Sequence, residues 1–166
     1  MPRAERPMMA DYGVPADLDG LLEWSWAQRR LERSRNFWLA TASADGRPHA
    51  MPVWGIWLPE VDQFVFSCAN GARKARNLRD NPRLVVTTED SEEVVSVEGV
   101  AAEQRPADLP EVLERYAAKY ESDPAKQATL VTFLGRNTLF RVVPERAFGI
   151  IERADEFGPR ATRWVW

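Results

Sequence analysis

The sequence predicts a mainly β domain with inserted helices (α+β), folded as a small closed or nearly closed antiparallel β-barrel. Three observations carry this. Short apolar runs recur at even spacing from Phe37 to the C-terminus. Turn residues such as Asp45-Gly46 and Asn70-Gly71 punctuate them. Three stretches of helical periodicity interrupt the runs without forming a separate unit.

The elements follow in order. Residues 1–16 read as a loose N-terminal tail of a single domain spanning 1–166. Asp17 to Arg35 reads as a helix, with Leu21, Leu22, Gln28 and Leu31 at near-helical spacing and Asp17 or Asp19 as cap. Phe37 to Ala42 is a strand, Ser43-Ala44-Asp45-Gly46 a hairpin turn and Arg47 to Leu58 the return strand. Gln63 to Ser67 completes a meander. Ala72 to Arg79 is a short helix stopped at Asn81-Pro82. Leu84 to Thr88 and Val94 to Ala102 are strands, the second with Val95, Val97, Gly99 and Ala101 on one face and Glu98 toward solvent. Pro106 to Tyr120 is a helix, and Gln127 to Leu134 is ambiguous. Thr138 to Val143 and Ala147 to Glu152 read as two strands split by Pro144, and Thr162 to Trp166 as a terminal strand.

Composition narrows the function. A chain of 166 residues with 45% hydrophobic and 28% charged residues buries a core without staples. A net charge of −3 argues against a general nucleic-acid binder. One cysteine, Cys68, excludes an intramolecular disulfide, and with the single histidine, His49, it excludes a Cys/His zinc site within one chain. No signal peptide or membrane-spanning run is read, so a cytoplasmic protein is expected.

The segment Cys68-Ala69-Asn70-Gly71-Ala72-Arg73-Lys74 carries the strongest functional signal. A tight turn, a helix N-terminus and two cations meet there, which together suit a phosphate. Basic residues in a first helical turn oppose the helix dipole, so an outside anion or another offset is required.

Residues 36–103 resemble the flavin-binding split-barrel superfamily that includes pyridoxamine phosphate oxidase. The matching pieces are Phe37-Trp38-Leu39-Ala40-Thr41, Asp45-Gly46-Arg47-Pro48-His49, Pro52-Val53-Trp54, Phe64-Val65-Phe66-Ser67, Arg73-Lys74-Ala75-Arg76-Asn77-Leu78, Asn81-Pro82-Arg83 and Val97-Glu98-Gly99. The resemblance implies a six-stranded antiparallel split β-barrel of the FMN-binding type, with flanking helices, working as a homodimer with cofactor sites at the interface. It implies that Arg73 and Lys74 grip the cofactor phosphate. Met51, Pro52, Val53 and Trp54 would run along the ring, Ser67 would approach the phosphate or ribityl chain, and His49 would touch ring or substrate or serve a structural role.

The chain departs from the oxidases. Their strand Arg and Lys correspond to Met51 and Ile56 here, a strand Gln falls near Val94, and no histidine lies in the C-terminal half. Vitamin B6 oxidation is therefore not expected. Pro52-Val53-Trp54 and the ending Ala161-Thr162-Arg163-Trp164 are more similar to the deazaflavin-dependent branch. That branch implies coenzyme F-420 as cofactor and hydride transfer to a small conjugated substrate. Alternatives are an FMN-dependent oxidase or reductase, and a non-catalytic cofactor or tetrapyrrole carrier in which haem would fall to His49.

Other residues keep two readings. Arg76 and Arg79 form a solvated face or hold an acidic cofactor tail. Trp164 and Trp166 pack in the core or a dimer, or wall a substrate pocket. Cys68 reads as a small turn residue rather than a nucleophile.

Overall fold

A computed structural model describes residues 1–166. Eight strands form one antiparallel sheet. They are β1 (Arg3–Glu5), β2 (Asn36–Ala42), β3 (Pro48–Leu58), β4 (Gln63–Cys68), β5 (Arg83–Thr88), β6 (Glu93–Gln104), β7 (Thr138–Ile151) and β8 (Thr162–Val165). The order is β1-β8-β7-β4-β3-β2-β5-β6, and β6 pairs back onto β7. Strands β2 to β7 thus close a six-stranded barrel, and β8 and β1 extend it. Five helices flank it: α1 (Trp24–Arg33), α2 (Arg73–Asp80), α3 (Pro110–Tyr120), α4 (Pro124–Leu134) and the single turn α5 (Phe157–Arg160).

The barrel is split at β3. Its first half, Pro48 to Trp54, pairs with β2, and its second half, Gly55 to Leu58, pairs with β4. Each half is open on its other side. The edge expected from Pro52, which has no N–H to donate, is therefore present. Helix α3 supplies the missing partners. The Tyr116 hydroxyl donates to the Trp54 carbonyl at 2.6 Å, Lys119 Nζ donates to the Gly55 carbonyl at 3.0 Å, and the Gly55 N–H donates to the Tyr120 hydroxyl at 2.7 Å. Unpaired backbone groups in so buried a place would each cost about 1–3 kcal/mol.

The interior divides accordingly. One apolar cluster fills the barrel around Phe37, Phe64, Phe66 and Phe140, with α1 adding Trp24, Ala27 and Leu31 at helical spacing. A second lies outside the wall, where Ile56, Leu58 and Val65 meet Leu113, Tyr116, Tyr120 and Leu134. Strand β4 is consequently buried on both faces and reads as a continuous apolar run.

Four expectations are corrected. The N-terminal segment is docked, not loose. Strand β1 pairs with β8, and the buried Arg6 guanidinium donates to the carbonyls of Asp17, Asp19, Pro159 and Ala161 at 2.7–2.9 Å. The same contacts delay the first helix, which starts at Trp24 rather than Asp17. Arg6 takes the Asp17 and Asp19 carbonyls, Thr162 Oγ1 takes the Leu22 N–H at 2.8 Å, and Gly20 stands at φ +79°, so this stretch cannot wind. Pro144 does not divide β7. A register shift at Glu98/Gly99 absorbs it, and a Cβ on Gly99 would lie 2.4 Å from the Val143 carbonyl oxygen. The ambiguous segment is helix α4, started by Pro124 and capped by Asp123, whose Oδ1 accepts from the Ala125 N–H at 2.8 Å.

Two predictions follow from the split. A Cβ on Gly55 would sit 2.2 Å from Phe64 Cζ and 2.9 Å from the Val65 carbonyl oxygen. Gly55→Ala should therefore cost about 2–3 kcal/mol of unfolding free energy, measured by urea denaturation. An unchanged midpoint would refute the close approach. The second concerns Lys119. Burial pushes its ammonium down to about 8, well below the unfolded value. The folded state resists the proton, so the penalty is full below pH 8 and is relieved as pH rises toward the unfolded pKa. The stability of the wild type relative to Lys119→Met should thus grow from pH 8 to about pH 10. The difference cancels the buried Cys68, Tyr116 and Tyr120, which both proteins share and whose raised pKa values act in the opposite direction. A pH-independent difference would refute it.

Candidate functional site

Strand β4 ends at Cys68, the chain turns through Asn70-Gly71, and α2 begins at Arg73. No side chain caps this helix start. Asn77 ties α2 to the barrel, its amide donating to Thr41 Oγ1 at 3.0 Å. The basic residues of α2 then part ways. Arg79 is consumed, bonding Glu103 at 2.9 Å and the Asn70 carbonyl at 3.0 Å. Arg76 folds back onto the Gly71 carbonyl at 2.6 Å. Arg73 and Lys74 have no carboxylate within 4 Å. Their charge is felt by His49, whose imidazolium is disfavoured first by burial and then by both cations.

A cleft of about 470 Å³ opens beside this helix start. Its floor and one wall are the free edge of β3, Pro52 to Trp54, with Ser67 and Cys68 at the end of β4. Leu130, Phe133 and Leu134 of α4 face them, Tyr116 closes the back, and Lys74 is the one charged lining residue. The Ser67 hydroxyl is buried with no hydrogen-bond partner. Trp54 is held firmly there. Its ring stacks on Tyr120 at 4.5 Å and 11°, and its carbonyl is bonded by Tyr116. Burial pushes the Cys68 thiol up, which agrees with a structural rather than a nucleophilic cysteine.

The cleft brings together five expected residues: Pro52, Val53, Trp54, Ser67 and Lys74. Arg73 adjoins Lys74 at the head of α2, and Met51 is exposed on the edge. His49 is half-buried on β3, away from the cleft lining, with Nδ1 unpartnered. The C-terminal tryptophans stand elsewhere. Trp164 is fully buried, edge-on to Trp24 at 5.3 Å, and Trp166 packs on the same ring at 4.9 Å. Neither lines the cleft. Sequence reasoning missed Tyr116 and the α4 residues, for which the apolar run in the ambiguous segment 127–134 was the available signal.

Other concavities lack this convergence. The groove of about 600 Å³ between α3 and α4 and the hollow of about 390 Å³ on the barrel wall each carry charges of both signs. No group of three His, Cys, Asp or Glu residues is placed to hold a metal ion, and no helix is long and apolar enough to cross a membrane.

The comparisons agree with this architecture. A conserved hypothetical protein from Mycobacterium tuberculosis superposes with a TM-score of 0.68 at 24% identity, over 79% of this chain and 86% of its own. The heme storage protein HutZ from Vibrio cholerae superposes with a TM-score of 0.56 at 24% identity, over 74% and 87%. An F420 reductase superposes with a TM-score of 0.53 at 22% identity, over 72% and 94%. At such identities these structures show a shared fold. No curated protein sequence matches the chain. Residues 26–148 match the family described as pyridoxamine 5'-phosphate oxidase, and with its split barrel the chain belongs to that family.

Proposed function

We propose that the protein is an oxidoreductase that holds a phosphate-bearing flavin-type cofactor in the β3–α4 cleft, coenzyme F-420 in preference to FMN. The observation that carries this is the pair Arg73 and Lys74. Two cations without carboxylate partners stand at an uncapped helix start, and the second of them, Lys74, lines a mainly apolar cleft. The residues present suit such a group. The volume falls within the range of small-molecule sites, about 300–1,000 Å³. The unpartnered Ser67 hydroxyl and the open edge of β3 offer polar contacts, while Trp54 and Phe133 offer flat apolar walls.

Arg73, Lys74 and the first amides of α2 would hold the phosphate, and Pro52 to Trp54 the ring. When bound, the cofactor supplies a hydride for a small conjugated acceptor. The chain's own part is to bind, to orient and to exclude water. Leu130, Phe133 and Leu134 do the last.

The preference for F-420 rests on the missing strand cations. Ile56 is buried against Leu113 and Tyr116, so no charge could be accommodated at that position. Met51 leaves the strand edge neutral. The ending Ala161 to Trp164 adds nothing at the cleft, because Thr162 and Trp164 are buried structural residues.

Titrations with F-420 and FMN, followed by fluorescence quenching, test the reading. F-420 should bind at micromolar or tighter affinity, with FMN weaker. Lys74→Ala should weaken binding at least about tenfold, or 1.4 kcal/mol, with an unaltered circular dichroism spectrum. Tighter FMN binding would move the protein to the FMN-dependent reading, and an unchanged dissociation constant in Lys74→Ala would remove the phosphate role.

The working unit we propose is a homodimer. Trp38, Pro52 and Trp54 share the outer face of the β2–β3 pair, and both tryptophans expose about half their surface, 52% and 45%. Such a patch calls for a cover. Sedimentation should give a dimer for the wild type and a monomer for Trp38→Glu. A monomeric wild type would refute this.

A further inference from the structure

The cleft does not use Lys119, whose surroundings are unusual for a lysine. The side chain runs inward from α3, and Nζ has one hydrogen-bond partner, the Gly55 carbonyl at 3.0 Å. It stands 4.8 Å from the Phe37 ring centroid and 5.6 Å from that of Tyr120. No carboxylate lies within 4 Å of it. Glu89 on the β5–β6 turn is engaged by the Arg35 N–H and the Asn36 amide, and Arg115 by Glu60. Arg35, from the α1–β2 link, adds a like charge nearby. Glu32 of α1 lines the same pocket without pairing to the amine.

That pocket is separate from the proposed cofactor cleft. It has a volume of about 210 Å³ and is walled by Ile56, Trp57, Pro59, Glu32, Arg115 and Lys119 itself. A half-buried amine beside two aromatic rings, with no carboxylate in contact although Glu89 favours its charge from a distance, and with a pocket in front of it, is placed to act as a nucleophile.

We propose that Lys119 is an acylation site, taking a small acyl group from a thioester that enters the pocket between α1, β3 and α3. The neutral amine attacks the thioester carbonyl. The N–C bond forms as the C–S bond breaks, the sulfur leaves with the bonding pair, and it takes up the proton that nitrogen loses. The products are an amide and a free thiol, with no change of oxidation state. An acetyl group removes the charge beside Arg35. The amide keeps one N–H for the Gly55 carbonyl, so the contact at the split of β3 survives. Burial, which pushes the ammonium down to about 8, leaves a minor but much enlarged neutral fraction near physiological pH. At neutral pH an amine of that kind has roughly a hundredfold more free base than an ordinary lysine. The proposal is independent of the cofactor reading.

The chain has three lysines, Lys74, Lys119 and Lys126, so the test is internal to one molecule. The full-length protein is incubated with S-acetyl-N-acetylcysteamine, a neutral acetyl thioester, and acetylation of each lysine is timed by mass spectrometry across neutral and alkaline pH. Lys119 should react at least about tenfold faster than the exposed Lys126 at neutral pH, after allowance for crowding. Its rate should level off above about pH 8, the point to which its ammonium is pushed. A Lys119 rate equal to or below that of Lys126, or one that climbs in parallel with it without levelling, would overturn the proposal.

Discussion

The structure turns on the exchange of partners at Trp54 and Gly55. An antiparallel barrel satisfies each strand from both sides, yet β3 is satisfied from one side at a time. At the crossing point the ladder has nothing to offer. Two tyrosines and a lysine of α3 take its place, and glycine is required because the Phe64 ring occupies the space of a Cβ. Helix α3 is therefore part of the wall rather than a decoration on it. Its side chains must be long and polar-tipped, because they reach the backbone through an apolar layer.

The cleft is a consequence of this arrangement. An open half-strand exposes Pro52 to Trp54, and α4 follows α3 by a short link and comes to rest opposite. The Tyr120 hydroxyl accepts from the Gly55 N–H and the Tyr120 ring lies flat beneath Trp54. The residue that braces the fold thus also orients an indole in the cleft. Burial holds both tyrosines in their protonated form, Tyr120 up to about 12, so Tyr116 remains a donor to the Trp54 carbonyl throughout the physiological range.

Charge is partitioned with similar economy. Most arginines outside the cleft are spent on carboxylates or carbonyls, as Arg79 on Glu103 and Arg163 on Glu5. Arg6 shows how far this goes, a buried guanidinium satisfied mainly by four neutral carbonyls that join the two chain ends. Arg73 and Lys74 are among the arginines and lysines without a carboxylate partner, and their place sets them apart, since at the start of α2 the helix dipole adds to their field.

The sequence by itself determined β2 to β6 and β8, because their alternation and turn residues are local properties. Asp45-Gly46, Val95 to Ala101 and the Arg73-Lys74 turn needed no tertiary information to be read. It also determined the order of motifs and thereby the family. The tertiary structure decided what depends on distant partners. Pro144 continues a strand because Gly99 of the neighbouring strand makes room, and Asp17 to Glu23 stays unwound because Arg6 and Thr162 take its backbone groups. Residues 1–16 look like a tail until β8 offers an edge to Arg3–Glu5. The same holds at the site. Arg73 and Lys74 were legible from local pattern, and Ser67 and Pro52 to Trp54 from the family resemblance, whereas Tyr116 and Phe133 reach the cleft only when α3 and α4 pack beside the split in β3. Burial of Trp164 likewise follows from Trp24, remote in sequence. Periodicity reports which face of an element is apolar, and only packing decides what that face meets.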